Sequence, residues 1–74
     1  MGKYMTLNET RRVKACFAEA GYSIASIAPK AEMTRETLSS RVNGKTDFLR
    51  SEMIRIAKIL NKRPEEIFLS QKLR

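Results

Sequence analysis

The residues of this chain best suited to recognition chemistry lie in the stretch 23–45, SIASIAPKAEMTRETLSSRVNGK. It reads as two short helices joined by a tight turn. The second opens at Thr34 with hydrogen-bonding side chains (Arg35, Glu36, then Ser39 and Ser40) and stops at Asn43-Gly44. A short helix with a polar N-terminal end, braced by another helix behind it, can be laid into the major groove of DNA. The chemistry on offer is hydrogen bonding rather than bond making. The chain has no histidine, and its one cysteine cannot by itself build a zinc site. Nucleophilic catalysis of the triad type lacks its base. Glu65-Glu66 has the look of helix N-terminal charge rather than an acid/base pair. Only 3 glycines occur, spread apart, so no phosphate-cradling loop is present. The chain is therefore not expected to be an enzyme, and no cofactor or metal is expected.

Composition narrows the partner. With 15 Lys and Arg against 8 Asp and Glu, the net charge of +7 favours a polyanion. At 74 residues there is room for one core, so a single domain is expected over 1–74, ordered over about 6–69 with frayed ends. Cys16 has no disulfide partner. A small domain without a disulfide staple suits a reducing compartment, and the cytoplasm is expected. No apolar run approaches the roughly 18 residues of a membrane span, and no secretory signal is visible at the start. The opening Met1-Gly2-Lys3-Tyr4-Met5-Thr6 fits a loose myristoylation pattern, but a motif this permissive reads first as an ordinary frayed terminus.

The elements that must position the polar helix are all helical. Thr6 and Glu9 form a capping-box pair, Val13, Phe17 and Ala20 follow at helical spacing, and Gly21 is a natural stop. Cys16, beside that stripe, reads as a small core residue. Ser23 caps a second helix whose buried face is Ile24, Ile27, Ala28 and Ala31, with Pro29 predicting a kink because it has no N–H for the carbonyl of Ala25. Thr34 caps the third helix, 34–43, with Leu38 and Val42 as its buried contacts and Met33 as a staple on Leu38. A basic loop over 45–50 carries Phe48, expected to plug the core. Met53, Ile56, Ala57 and Leu60 form the stripe of a fourth helix, flanked by Ile54 and Ile59. Pro64 opens a short fifth helix ahead of Ile67-Phe68-Leu69. Ile67, Phe68 and Leu69 either close the core or meet a second copy; a helix that short is not expected to bury all three inward, so they are the expected homodimer interface, with Phe68 capping the monomer core as the alternative.

Residues 7–69 resemble the Cro and phage-repressor (lambda-repressor-like) type of helix-turn-helix domain. The resemblance rests on Ala25-x-Ile27-Ala28, Thr34-Arg35-Glu36-Thr37-Leu38, Val42-Asn43-Gly44-Lys45, Ile56-Ala57-Lys58-Ile59-Leu60-Asn61 and Pro64-Glu65-Glu66-Ile67-Phe68. It implies an all-α, five-helix fold with the third helix as the recognition helix. The base-reading positions then fall on Arg35, Glu36 and Ser40, with Thr34 at the edge and Ser39 on the same side. Arginine can be bidentate to guanine, glutamate can accept from cytosine, and serine is permissive. Phosphate contacts fall on the start of the second helix (Ser23, Ile24, Ala25), on Asn43, and on Lys45 and Thr46, with Arg41 close by. Three residues depart from the pattern. Ile24 stands where a glutamine is common, Pro29 is unusual inside the second helix, and Glu32 occupies a turn position usually held by glycine. Glu32 must therefore adopt either a strained backbone or a different turn.

The function implied is a double-stranded-DNA-binding transcriptional regulator of the phage or mobile-element repressor kind, working as a homodimer. The contrasting reading is a protein-binding module on the same fold, such as an antitoxin, an anti-repressor or an inhibitor of a nucleic-acid enzyme. Binding to structured RNA has little support, because no interleaved aromatic platform is visible.

Overall fold

Capping chemistry sets where each helix begins. A computed structural model describes residues 6–68, and among them five helices run in the order α1 (Leu7–Glu19), α2 (Ile24–Lys30), α3 (Arg35–Val42), α4 (Arg50–Leu60) and α5 (Pro64–Ile67). The myristoylation-like Met1–Met5 segment and Leu69 lie outside the described residues. At the start of α1, Glu9 N–H donates to Thr6 Oγ1 at 3.2 Å and Thr6 N–H donates to Glu9 Oε1 at 2.7 Å, the reciprocal box that the Thr-x-x-Glu spacing predicts. Ser23 and Ser26 make the same exchange ahead of α2. Thr34 caps α3 by accepting from Thr37 N–H at 3.1 Å. Pro64 stands at the first position of α5, where its missing N–H costs nothing.

The ends share one geometry. After α1, α2 and α3, two backbone bonds wrap the last turn: Tyr22 N–H to Phe17 O, Met33 N–H to Ala28 O and Lys45 N–H to Ser40 O are the outer ones, at 2.8–2.9 Å. Each wrap needs one residue with positive φ. Gly21 (82°), Glu32 (61°) and Gly44 (78°) supply it, and Asn61 (56°) does so after α4. Glycine and asparagine suit that conformation; Glu32 does not. Of the two alternatives for Glu32, the chain adopts the strained backbone. Pro29 lies inside α2, which is assigned as one continuous element through it and ends a residue later at Lys30. Pro29 and Ala25 are both exposed, so the loss of one bond to the Ala25 carbonyl falls on the solvent side.

Apolar faces of all five helices meet in one cluster. Val13, Phe17, Ile27, Leu38, Val42, Ile56 and Ile67 are its most deeply buried side chains, and Cys16, Ala28, Ala31, Met53, Ala57 and Leu60 complete most of the rest. Ala20, predicted on the buried stripe of α1, is instead its exposed C-cap. Phe48 plugs the core as expected, its ring 4.8 Å from that of Phe68 at an interplanar angle of 60°. Ile67 and Phe68 are also inside, 1 % and 3 % exposed. This corrects their assignment to a dimer surface: Ile67 of α5 and its C-cap Phe68 are both part of the core, Phe68 against Phe48 of the loop that follows α3, so neither is free to meet a second copy.

Candidate nucleic-acid interface

Helix α3 is short, eight residues, and too short to be stable on its own. Its position is imposed from behind. Leu38 and Val42 are fully buried, and both α2 and α1 pack against it. A buried hydrogen bond adds direction: Thr10 Oγ1 of α1 donates to the Val42 carbonyl at 2.9 Å, satisfying an acceptor in the last turn of α3. With its apolar side anchored, α3 turns Arg35 and Glu36 to solvent, next to the exposed cap Thr34. Among the described residues, Arg35 and Glu36 have no hydrogen-bond or ion-pair partner, so their donors and acceptors are available to a ligand. Ser39 and Ser40 lie further round the helix and are half-buried. Thr34 is more committed than its type suggests. Its hydroxyl accepts from Thr37 N–H and donates to Thr37 Oγ1 at 2.8 Å, so it is engaged in the cap.

The residues expected at phosphates divide into two groups. Ile24 and Ala25 present first-turn amides that no carbonyl can reach, as at any helix start. The hydroxyls of Ser23 and Ser26 are used on each other and on the local backbone. The half-buried Ile24 packs on the core, so the start of α2 offers amides and dipole rather than a side-chain clamp. Lys45 is exposed without an ion-pair partner among the described residues. Thr46 is exposed beside it. Asn43 Nδ2 is occupied at 2.9 Å by the Ser39 carbonyl and at 3.2 Å by Ser39 Oγ, leaving its amide oxygen rather than its donor pair outward.

Arg41 is the correction in this set. Rather than reaching to solvent as a phosphate contact, its side chain, 19 % exposed, turns its guanidinium onto Glu52 of α4. Nε donates to Glu52 Oε1 at 2.8 Å, Nη2 to Glu52 Oε2 at 3.2 Å, and Nη1 to Thr46 Oγ1 at 2.9 Å. The hydrogen bond to Glu52, followed by its charge, raises the Arg41 pKa above the ordinary guanidinium value against the opposing effect of burial. Glu52 is itself buried and also accepts from the Leu49 N–H at 2.8 Å, capping the start of α4. Sequence reasoning missed Thr10 and Glu52. Their signal was present as polar residues on otherwise apolar stripes, Thr10 with Val13 and Phe17, Glu52 with Ile56.

A helix held by its apolar back against two others, with a polar N-terminal end projecting beside a basic loop, defines a helix-turn-helix of the DNA-binding class. The chain matches the helix-turn-helix family model over residues 13–67 of its 74 and belongs to that family, the lambda-repressor-like helix-turn-helix domains of DNA-binding regulators. No curated protein and no solved structure matches the chain. Among the described residues, no helix is long and apolar enough to cross a membrane.

Proposed function

We propose that this protein is a sequence-specific, double-stranded-DNA-binding transcriptional regulator, of the kind that represses genes in phages or mobile elements. One observation carries the reading: Arg35 and Glu36 project unpaired from the start of a helix whose opposite side is locked into the core. Arg35 reads a base edge as a bidentate donor and Glu36 accepts from an exocyclic amine, with Ser39, Ser40 and Thr34 completing the contact. The amides of Ile24 and Ala25, together with Lys45 and Thr46, hold phosphates on either side and fix the register, while Asn43, its Nδ2 and backbone N–H both committed to Ser39, shapes the end of α3 instead.

One copy reads few base pairs. The molecule measures 25 Å along its longest axis, shorter than the ~34–36 Å between half-sites on one face of the duplex. Two copies bound to a palindrome supply the missing selectivity. With Ile67 and Phe68 withdrawn into the core, the copies meet through other residues or cooperate through the DNA alone. Sequencing the duplexes that the protein retains from a random pool tests the reading. The expected result is a sharp motif with two-fold symmetry. No enrichment would overturn it and turn attention to a protein partner. Sedimentation with the selected duplex then counts the copies, two per palindrome being expected.

A further inference from the structure

The pairing of Arg41 with Glu52 does more than fill a gap between helices. A buried carboxylate is costly unless its lone pairs are met. Glu52, 5 % exposed, is met by three donors from two places in the chain: two nitrogens of the Arg41 fork and the backbone N–H of Leu49. The third nitrogen of the fork holds Thr46 Oγ1. One guanidinium thus ties the last turn of α3, the loop after it and the first turn of α4 into a single unit. Lys45 lies inside that unit, its N–H on the Ser40 carbonyl at 2.9 Å and its neighbour Thr46 on Arg41. The backbone wrap sets where Lys45 leaves α3, and the Arg41–Glu52 fork adds a second hold on that loop through Thr46 and ties it to α4.

We infer that Glu52 is a positioning residue that determines DNA specificity, acting through Arg41. It adds the second hold on the phosphate-holding loop after α3, and it withdraws a cation that would otherwise bind any phosphate it met. The inference rests on the DNA-binding reading above. Loss of Glu52 has two consequences that ordinary destabilisation does not produce together. The correct site is held less well because the loop after α3 loses that second hold. Incorrect sites are held equally well or better because Arg41 is released at the edge of the interface, beside the exposed Thr46.

Glu52→Gln is the first test, since glutamine keeps the volume and the acceptor for Leu49 N–H while weakening the hold on Arg41. Arg41→Met and the double variant accompany it, with folding checked by thermal unfolding. Affinity is measured over a salt series for the duplex selected by the wild type and for a scrambled duplex of equal length. For Glu52→Gln the selected-to-scrambled ratio is expected to fall about tenfold. Scrambled-duplex affinity holds or rises, with a salt slope steeper by about one phosphate. Arg41→Met lowers the ratio similarly with an unchanged slope, and the double variant matches Arg41→Met rather than summing the two losses. An unchanged ratio in Glu52→Gln, a slope shallower by about one in Arg41→Met, or full additivity each overturns the inference. If either single variant fails to fold, the double variant, which leaves no unpaired buried charge, carries the test by the same fall in ratio. A wild type that selects no duplex overturns the DNA reading itself, whereas selection by the wild type with an unchanged ratio in Glu52→Gln overturns only the role of Glu52.

Discussion

At the scale of single residues, exposed groups and committed groups divide the labour. Arg35 is free and Lys45 is free, but they stand in different places and are expected to fail differently. Arg35→Ala should cost about 1–3 kcal/mol and blur one base pair of each half-site. Lys45→Ala should weaken all sequences alike. Competition binding against single-base variants of the selected duplex separates the two, and an Arg35→Ala protein with intact preference would mean that α3 docks differently. Glu32 offers a test of strain. A side chain in the left-handed region costs roughly 1–2 kcal/mol, whereas glycine pays about 0.5–1 kcal/mol in chain entropy. Its ion pair with Arg55 spans 3.9 Å with the Glu32 side chain 76 % exposed, so little is lost with it. Glu32→Gly should therefore stabilise the fold slightly, raising the melting temperature by about 2–6 °C. An unchanged or lower melting temperature would show that the turn tolerates glutamate without strain.

At the scale of elements, what was legible in the sequence was what is local. Thr6, Ser23 and Thr34 announced their helices because a cap and its partner are three residues apart, and Gly21 and Gly44 announced ends for the same reason. Glu32 was legible as a problem, and the structure resolved it. The buried stripes of α1 to α4 followed from helical spacing, except that Ala20 at the end of α1 is exposed and Ile24 at the start of α2 is only half-buried. The cross-links were hidden because they join distant positions: Thr10 to Val42, Arg41 to Glu52, and Arg12 to the Glu66 carbonyl at 2.7 and 3.0 Å. No spacing rule says which polar side chain on an apolar stripe will find a partner across the core. For the candidate site, the types and exposure of Arg35 and Glu36 were readable, but the withdrawal of Arg41 was not. The Thr10 link has a measurable value. Thr10→Val keeps the shape and deletes the donor, leaving the Val42 carbonyl buried without its partner, at a cost of about 1–3 kcal/mol by chemical unfolding. A loss of less than about 0.5 kcal/mol would mean that water replaces the hydroxyl.

At the scale of the whole molecule, the C-terminal helix is part of the machinery that holds α3 in place. Phe68 lies on Phe48, Phe48 belongs to the loop leaving α3, and Ile67 is buried in the same core cluster. Truncating Phe68 to alanine should cost about 3–5 kcal/mol. Domains of this size have only about 4–11 kcal/mol in total. Phe68→Ala should consequently melt far lower or be unfolded at room temperature by circular dichroism. A variant that melts like the wild type but no longer pairs with a second copy would restore Phe68 to an interface.

Cys16 gives this architecture a clock. The residue is 7 % exposed and its thiol is free, in the same buried cluster as Val13 and Phe17. A thiol reagent can reach it only when α1 lifts away, so the labelling rate follows how often the molecule opens. Because α1 carries Thr10, the same opening releases the last turn of α3. Duplex that grips only the closed form should slow the labelling of a cysteine that never touches DNA.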